Sequence, residues 1–211
     1  MPENSEVAWP GLVGALFFDV QDAMSRQEAE DTPTSRRALV RALIAGVEGL
    51  AWMYREHVLE IAGEMDLLSE PERHALLESS FSVGEDGRIS EQKRFLSTVA
   101  MVRLITRIAA KCAPGNAPDF GVEGWTHLKQ TIALRNRITH PKAETDMGIS
   151  IDEIACAKSA FFWFADLVLG VMDRTTKTFR DFADRMWEVL SMLKAGDERA
   201  LALYHRLQED E

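Results

Sequence analysis

Apolar residues recur at steps of three and four along almost the whole chain, and only a helix places such residues on one face. The clearest series is Leu39, Leu43, Val47, Leu50, Tyr54, Val58 and Ile61. It predicts a helix of roughly 27 residues, about 40 Å long, a length that suits a bundle. Before it, Leu12, Leu16, Val20 and Ala23 mark a first helix that fades in the polar residues 26–34. Pro33 interrupts the chain there, and Ser35 is placed to cap the long helix. After it, Ser69 with Glu72 forms a capping box that opens a short helix over residues 73–79.

Residues 81–89 hold the one β-like passage, with the Asp86-Gly87 turn signal between two short runs, so a small hairpin or an ordered loop is expected. Ser90 is placed to cap a helix carrying Phe95, Val99, Val102, Ile105, Ala109 and Cys112, which Pro114, Gly115 and Asn116 end. A helix over Glu123–Thr139 follows and stops because Pro141 disfavours α geometry at His140. Ser150 and Glu153 form another capping box. The helix they open is apolar on every side over residues 160–172, so it must be covered on every side. Thr178 is read as the cap of a further helix closed by Gly196, before a last one carrying Leu201, Tyr204 and Leu207. The fold class is therefore all-α: an antiparallel helical bundle over residues 35–173. An N-terminal helix and linker precede it over 1–34, and C-terminal helices over 174–211 pack on the same domain.

Charge is distributed unevenly. The formal net charge is −10 over 211 residues. Residues 92–143 nevertheless contain nine Lys and Arg against only Asp119 and Glu123, a net of +7, which leaves −17 on the rest. An acidic whole argues against a general nucleic-acid coat protein. A basic middle is where an anionic ligand would be sought, unless those helices simply pair with acidic ones within the fold. No unbroken apolar run reaches the ~20 residues of a membrane span. Residues 160–172 form the longest and contain Asp166. The N-terminal residues lack the basic-then-apolar order of a secretory signal. Cys112 and Cys156, alone and far apart, fit a reducing cytoplasm and are read as small core residues.

The chemistry concentrates in Leu134-Arg-Asn-Arg-Ile-Thr-His-Pro-Lys142. Trp125, Leu128, Ile132 and Ile138 are expected to form the buried stripe of this helix, with Arg135 and Asn136 flanking it. Asn136 and His140 are four apart, close enough for the amide to orient the imidazole. No acid occurs between Trp125 and Ala143. Arg, Asn and His without a carboxylate suit a phosphate and suit a divalent metal poorly, so neither metal nor cofactor is expected. Elsewhere, Asp166 is expected either to join this arginine cluster or to face the edge of an interface. His57, His74, His127 and His205 share no metal-binding spacing and are read mostly as surface residues. Phosphate-binding Gly-rich loops, nucleophile elbows and His-Glu-x-x-His are all absent from the sequence.

Arg135, Asn136 and His140, late in a helix of an all-α chain, resemble the defining motif of the HEPN superfamily: Arg, four to six residues, then His, often with a polar residue directly after the Arg. The resemblance covers residues 35–173. It implies a helical bundle with Arg135, Asn136 and His140 as catalytic residues, and an acid, for which Glu48 is the candidate, meeting the arginine across the bundle; the alternative for Glu48 is a solvated helix position. Arg137 and Lys142 would support substrate binding. The implied activity is metal-independent endoribonuclease cleavage by 2′-hydroxyl attack, in a toxin or phage-defence effector with an antitoxin or regulatory protein. The alternative is a non-catalytic module that binds a nucleotide, RNA or protein. Some relatives carry a nucleotidylated tyrosine two residues after the histidine; Lys142 stands there in this chain. A homodimer is also expected, both from the apolar surface of residues 160–172, unless the C-terminal helices from Thr178 onward cover it within one chain, and because the resemblance implies pairing that brings two motifs to one cleft.

Overall fold

Capping residues decide where the elements begin. The computed structural model describes residues 11–115 and 118–209; the N-terminal residues 1–10 and Asn116, read above from sequence, lie outside it. The order is α1 (Leu12–Ala29), α2 (Pro33–Glu64), α3 (Glu70–Leu76), β1 (Ser79–Val83), β2 (Ile89–Lys93), α4 (Thr98–Cys112), α5 (Glu123–Thr139), a 3₁₀ turn (Glu144–Met147), α6 (Ile151–Lys194) and α7 (Glu198–Glu209). The protein is all-α, with one two-stranded antiparallel hairpin beside the helices.

Several boundaries differ from the sequence reading, each for a local reason. Pro33 opens α2 as its first residue, where its missing N–H costs nothing. Thr32 is the cap, accepting from the Ser35 amide at 3.1 Å while Ser35 Oγ accepts from the Thr32 amide at 2.9 Å. The capping box at Ser69 opens α3 at Glu70, three residues earlier than expected. Ser90 caps nothing: it pairs with Ser82 across the hairpin, hydroxyl to hydroxyl at 2.8 Å. Ser97 caps α4 instead, accepting from Ala100 N, and Phe95 is left 78% exposed. Thr178 is no cap either. Its hydroxyl donates to Arg174 O one turn back, and α6 runs on unbroken for 44 residues. The expected domain boundary after residue 173 therefore falls inside a helix.

α2 buries residues over a wide arc, from Leu39 and Val40 through Leu50 and Ala51 to Ile61 and Ala62. Its neighbours are α1, α4, α5 and α6. The helix directions follow from paired positions. Gly46 meets Val20 and Gly49 meets Leu16, so α1 runs opposite to α2. Arg36 reaches Ile149 O, Gly46 meets Phe161, and His57 bonds Thr175, so α6 runs alongside α2 in the same direction. Tyr54 bonds Thr106, and Lys111 reaches Leu67 O, which makes α4 parallel to α2 as well. α5 opposes α6, with His127 on Ser159 and Arg137 on Glu153. The bundle is therefore not antiparallel throughout. α3 and the hairpin carry the chain back so that α4 can start beside the middle of α2.

The apolar segment of α6 is covered by the neighbours this topology supplies. Phe161, Phe164, Leu167 and Val168 are buried, while Phe162 and Leu169 remain on the surface. Taken over a window instead of an unbroken run, α6 is long and apolar enough to cross a membrane, and 44% of that window is buried within the protein. A core helix of a bundle has the same composition, so this is weak ground for a span. Cys112 is buried as expected, but Cys156 is only half-buried.

Two close approaches yield predictions. Gly124, in the first turn of α5, lies against Trp163 of α6, and a Cβ there would collide with the indole ring. Gly124→Ala should destabilise the protein by about 1–3 kcal/mol, the usual cost of overpacking, measured by urea denaturation. Glu72 accepts from Lys111 Nζ at 2.7 Å and from Ser69, and those bonds, Lys111 foremost, hold its carboxyl down to about 2. A lowered carboxylate stabilises the fold above its ordinary value near 4.5, and that stabilisation is lost as pH falls towards 2. Urea midpoints compared at pH 6 and pH 3 should fall less for Glu72→Gln than for the wild type.

Candidate functional site

The motif helix α5 buries Trp125, Leu128, Thr131, Leu134 and Ile138 against the bundle. Leu134 takes the buried place expected of Ile132, which turns Ile132 to a cleft wall. Arg135 and Asn136 follow Leu134 and emerge at the edge of the packed face. There the Arg135 guanidinium meets Glu48 of α2 at 3.1 Å and donates to Asn136 Oδ1 at 3.2 Å. The meeting of Glu48 and Arg135 is thus present. Both side chains are partly exposed, so the pair orients the guanidinium more than it stabilises the fold.

Arg135, Asn136 and Glu48 line a cleft of about 200 Å³ with Ile44, Ile132, Leu96, Ser97 and Thr98. Ser97 and Thr98 are the cap and first residue of α4, so the positive end of that helix borders the same space. A cleft of equal size adjoins it across Glu48, lined by Trp52, Arg55 and Glu78. Trp52 is 50% exposed one turn after Glu48. Glu78 fixes this second floor, accepting from Leu96 N at 2.8 Å and pairing with Arg55 at 3.5 Å.

His140 is the C-cap of α5, where Pro141 ends the helix (φ −124°, ψ 59°). Its backbone N–H donates to Asn136 O at 3.0 Å. Its imidazole is exposed, and no hydrogen bond from Asn136 orients it: the amide oxygen faces Arg135 instead. The imidazole is also absent from the lining of the Arg135 cleft. The motif therefore divides into an ordered Arg135–Asn136–Glu48 group and an exposed histidine one turn on.

Arg137 points elsewhere. Its guanidinium donates to Gly148 O at 2.8 Å and pairs with Glu153 at 2.9 Å, tying the end of α5 to the start of α6. Its position is structural, away from the cleft. Lys142 begins an ordered turn in which its own amide and that of Ala143 donate to the Asp146 carboxylate. Those two bonds, from Lys142 first, hold the Asp146 carboxyl below its ordinary value. This turn fixes the backbone that follows His140. Asp166 does not join the arginine cluster; it is exposed in a separate cleft with Trp163 and Arg174. His57 is no surface residue: it is half-buried against Thr175 Oγ1 at 2.7 Å, and burial lowers its pKa.

Trp52 and the Ser97–Thr98 helix start were missed in the sequence. Trp52 had a readable signal, an indole on the polar side of α2 four residues from Glu48. The helix start had none, because Ser90 offered an equally good cap. Comparisons of this chain with family models, curated proteins and solved structures find no match.

The exposure of His140 makes a stability prediction. An exposed side chain without partners contributes within about 0.5 kcal/mol. His140→Ala should leave the urea midpoint essentially unchanged, and a large loss would mean that the imidazole is part of the packing.

Proposed function

We propose that the protein is a cytoplasmic endoribonuclease of the HEPN type that cuts RNA through Arg135, Asn136 and His140. The observation that carries this reading is the Glu48–Arg135–Asn136 group, which aims a guanidinium into a cleft bordered by a helix N-terminus, with an exposed imidazole one turn further along the same helix. A guanidinium and the first-turn amides of a helix both favour phosphate oxygens.

RNA supplies its own nucleophile. The 2′-hydroxyl attacks the adjacent phosphorus as its proton passes to the His140 imidazole, which acts as general base. The bond from phosphorus to the 5′-oxygen breaks, and that oxygen takes a proton from water. Arg135 binds the phosphate and offsets the charge that grows on its oxygens. Asn136 and Glu48 keep the guanidinium in position. Lys142, exposed after the helix, adds positive charge for the incoming strand, which makes binding weaker at high salt. Trp52, in the adjoining cleft, offers an aromatic face on which a base can stack. A toxin or defence role would bring a partner protein that restrains this site.

One observation favours a second reading. His140 does not line the cleft that holds Arg135 and Asn136, as befits a non-catalytic module that binds a nucleotide or RNA phosphate there.

The test is incubation of purified protein with varied RNAs in EDTA. The products should end in 2′,3′-cyclic phosphate, and a 2′-deoxy nucleotide at the cut site should block cleavage. His140→Ala and Arg135→Ala should each lower the rate by ~10²–10⁴. Cleavage unaffected by either substitution would assign the activity elsewhere. Binding that depends on Arg135, without any cutting, would establish the second reading.

A further inference from the structure

Arg174 differs from the other basic side chains of the bundle. It is partly buried on α6, yet its guanidinium meets no carboxylate and no hydrogen-bond acceptor. The other partly buried arginines and lysines among the described residues all have partners. Arg36, Arg55, Arg73, Arg135, Arg137 and Lys158 pair with carboxylates, and Arg37 donates to the Met147 carbonyl. A charge taken partly out of water costs free energy unless a counter-charge answers it. Asp173, beside Arg174 in the chain, does not answer it, because its carboxylate pairs with Lys177 at 2.7 Å.

Arg174 lines a cleft of about 560 Å³ between α6 and the residues that follow α4, a volume within the range of small-molecule sites. Along α6 the cleft presents Trp163, Asp166, Gly170 and Arg174, which share one helix face at steps of three and four. The guanidinium folds back over Gly170: a Cβ on that glycine would lie 3.4 Å from Arg174 Nη1. Asp166 is exposed one turn before Gly170 and forms no ion pair with Arg174. With about 5.4 Å of rise per turn, the two charges stand on the order of 5–8 Å apart. Trp163, nearly one turn further back, is held against Gly124 and Trp125, the two indole centroids lying 6.1 Å apart.

We propose that this cleft binds a free α-amino acid with an apolar side chain. Its carboxylate meets Arg174, its ammonium meets Asp166, and its side chain lies on Trp163. Three features select this ligand. The planar guanidinium matches a carboxylate with two parallel hydrogen bonds. The carboxylate and ammonium of an amino acid share one carbon, and a charge-assisted hydrogen bond of ~2.8 Å at each end spans the gap between Arg174 and Asp166. Two acids, Asp119 and Asp166, outnumber Arg174 in the lining, which repels a phosphate dianion and suits a ligand carrying both signs. Of those acids Asp119 is already used, since its Oδ1 accepts from the Gly121 amide at 2.6 Å, and Asp166 is left for the ammonium.

This cleft is separate from the one that holds Arg135. Gly124, against which Trp163 packs, stands eleven residues before Arg135 on α5, about 16 Å along the helix at 1.5 Å per residue. The two clefts share no lining residue.

Titration calorimetry of the full chain with L-phenylalanine and with L-leucine tests the assignment. At least one should bind with a dissociation constant below about 1 mM. N-acetyl-L-phenylalanine lacks the ammonium and L-phenylalaninamide lacks the carboxylate, so each should bind about tenfold or more weakly than L-phenylalanine. Arg174→Gln and Asp166→Asn should each weaken binding about tenfold or more while keeping the far-UV circular dichroism of the wild type. The two analogues test the same charges on the unaltered protein, should either variant fail to fold. The proposal is overturned by the absence of binding for both amino acids, by analogues that bind as tightly as L-phenylalanine, by folded variants that bind as the wild type does, or by inorganic phosphate binding more tightly than either amino acid. The readout is binding at a cleft apart from Arg135 and His140, so it stands or falls independently of any ribonuclease activity.

Discussion

α2 has to bury side chains over most of its circumference, and the rest of the molecule is arranged to let it. Leu39, Val40, Leu43, Ile44 and Val47 cannot share one narrow stripe. They need neighbours on several sides, and α1, α4, α5 and α6 supply them. Two of those neighbours, α4 and α6, run in the same direction as α2. That arrangement demands the return path through α3 and the hairpin. It also brings the start of α4, with Ser97 and Thr98, beside the middle of α2, where Glu48 stands. The candidate site is a by-product of that packing: Glu48 sits at the margin of the buried arc, and the arginine after Leu134 emerges opposite it.

The same constraint explains why His140 stands apart from the cleft of Arg135 and Asn136. α5 is fixed along its length by Trp125, Leu128, Leu134 and Ile138, so Arg135 and Asn136 inherit the order of the core. His140 lies past the last packed residue, and Pro141 turns the chain away. Its backbone is held by Asn136 O and by the Asp146-centred turn behind Lys142, while its ring is free to meet a substrate. Under the proposed chemistry that division has a use: the phosphate is gripped by a fixed group, and the proton is handled by an exposed one.

What could be read from the sequence follows the range of the interactions involved. The limits of α5 and the capping box at Ser150 rest on contacts within four residues, and both are as expected. Glu48 opposite Arg135 came from a family pattern, since nothing local in either helix requires it. Serine and threonine misled where the same hydroxyl had two uses. Ser90 could cap a helix or pair across a hairpin. Thr178 could cap a helix or bond the carbonyl one turn back. Only the surrounding fold chooses between them. The parallel course of α2 and α6 left no trace in periodicity, because a helical stripe looks the same from either end. The family resemblance rests on Arg135, Asn136 and His140, with Glu48 in the long core helix beside them.

The proposed chemistry requires Arg135 and His140 to serve one bound phosphodiester. Its most direct test is a nuclear magnetic resonance titration of ¹⁵N-labelled protein with a short RNA whose attacked nucleotide is 2′-deoxy and so cannot be cut. The Arg135 side chain, the Ser97 and Thr98 amides and the His140 ring should then shift together along a single binding curve. Shifts confined to the cleft of Trp163 and Arg174, or movement of the Arg135 group without His140, would contradict it.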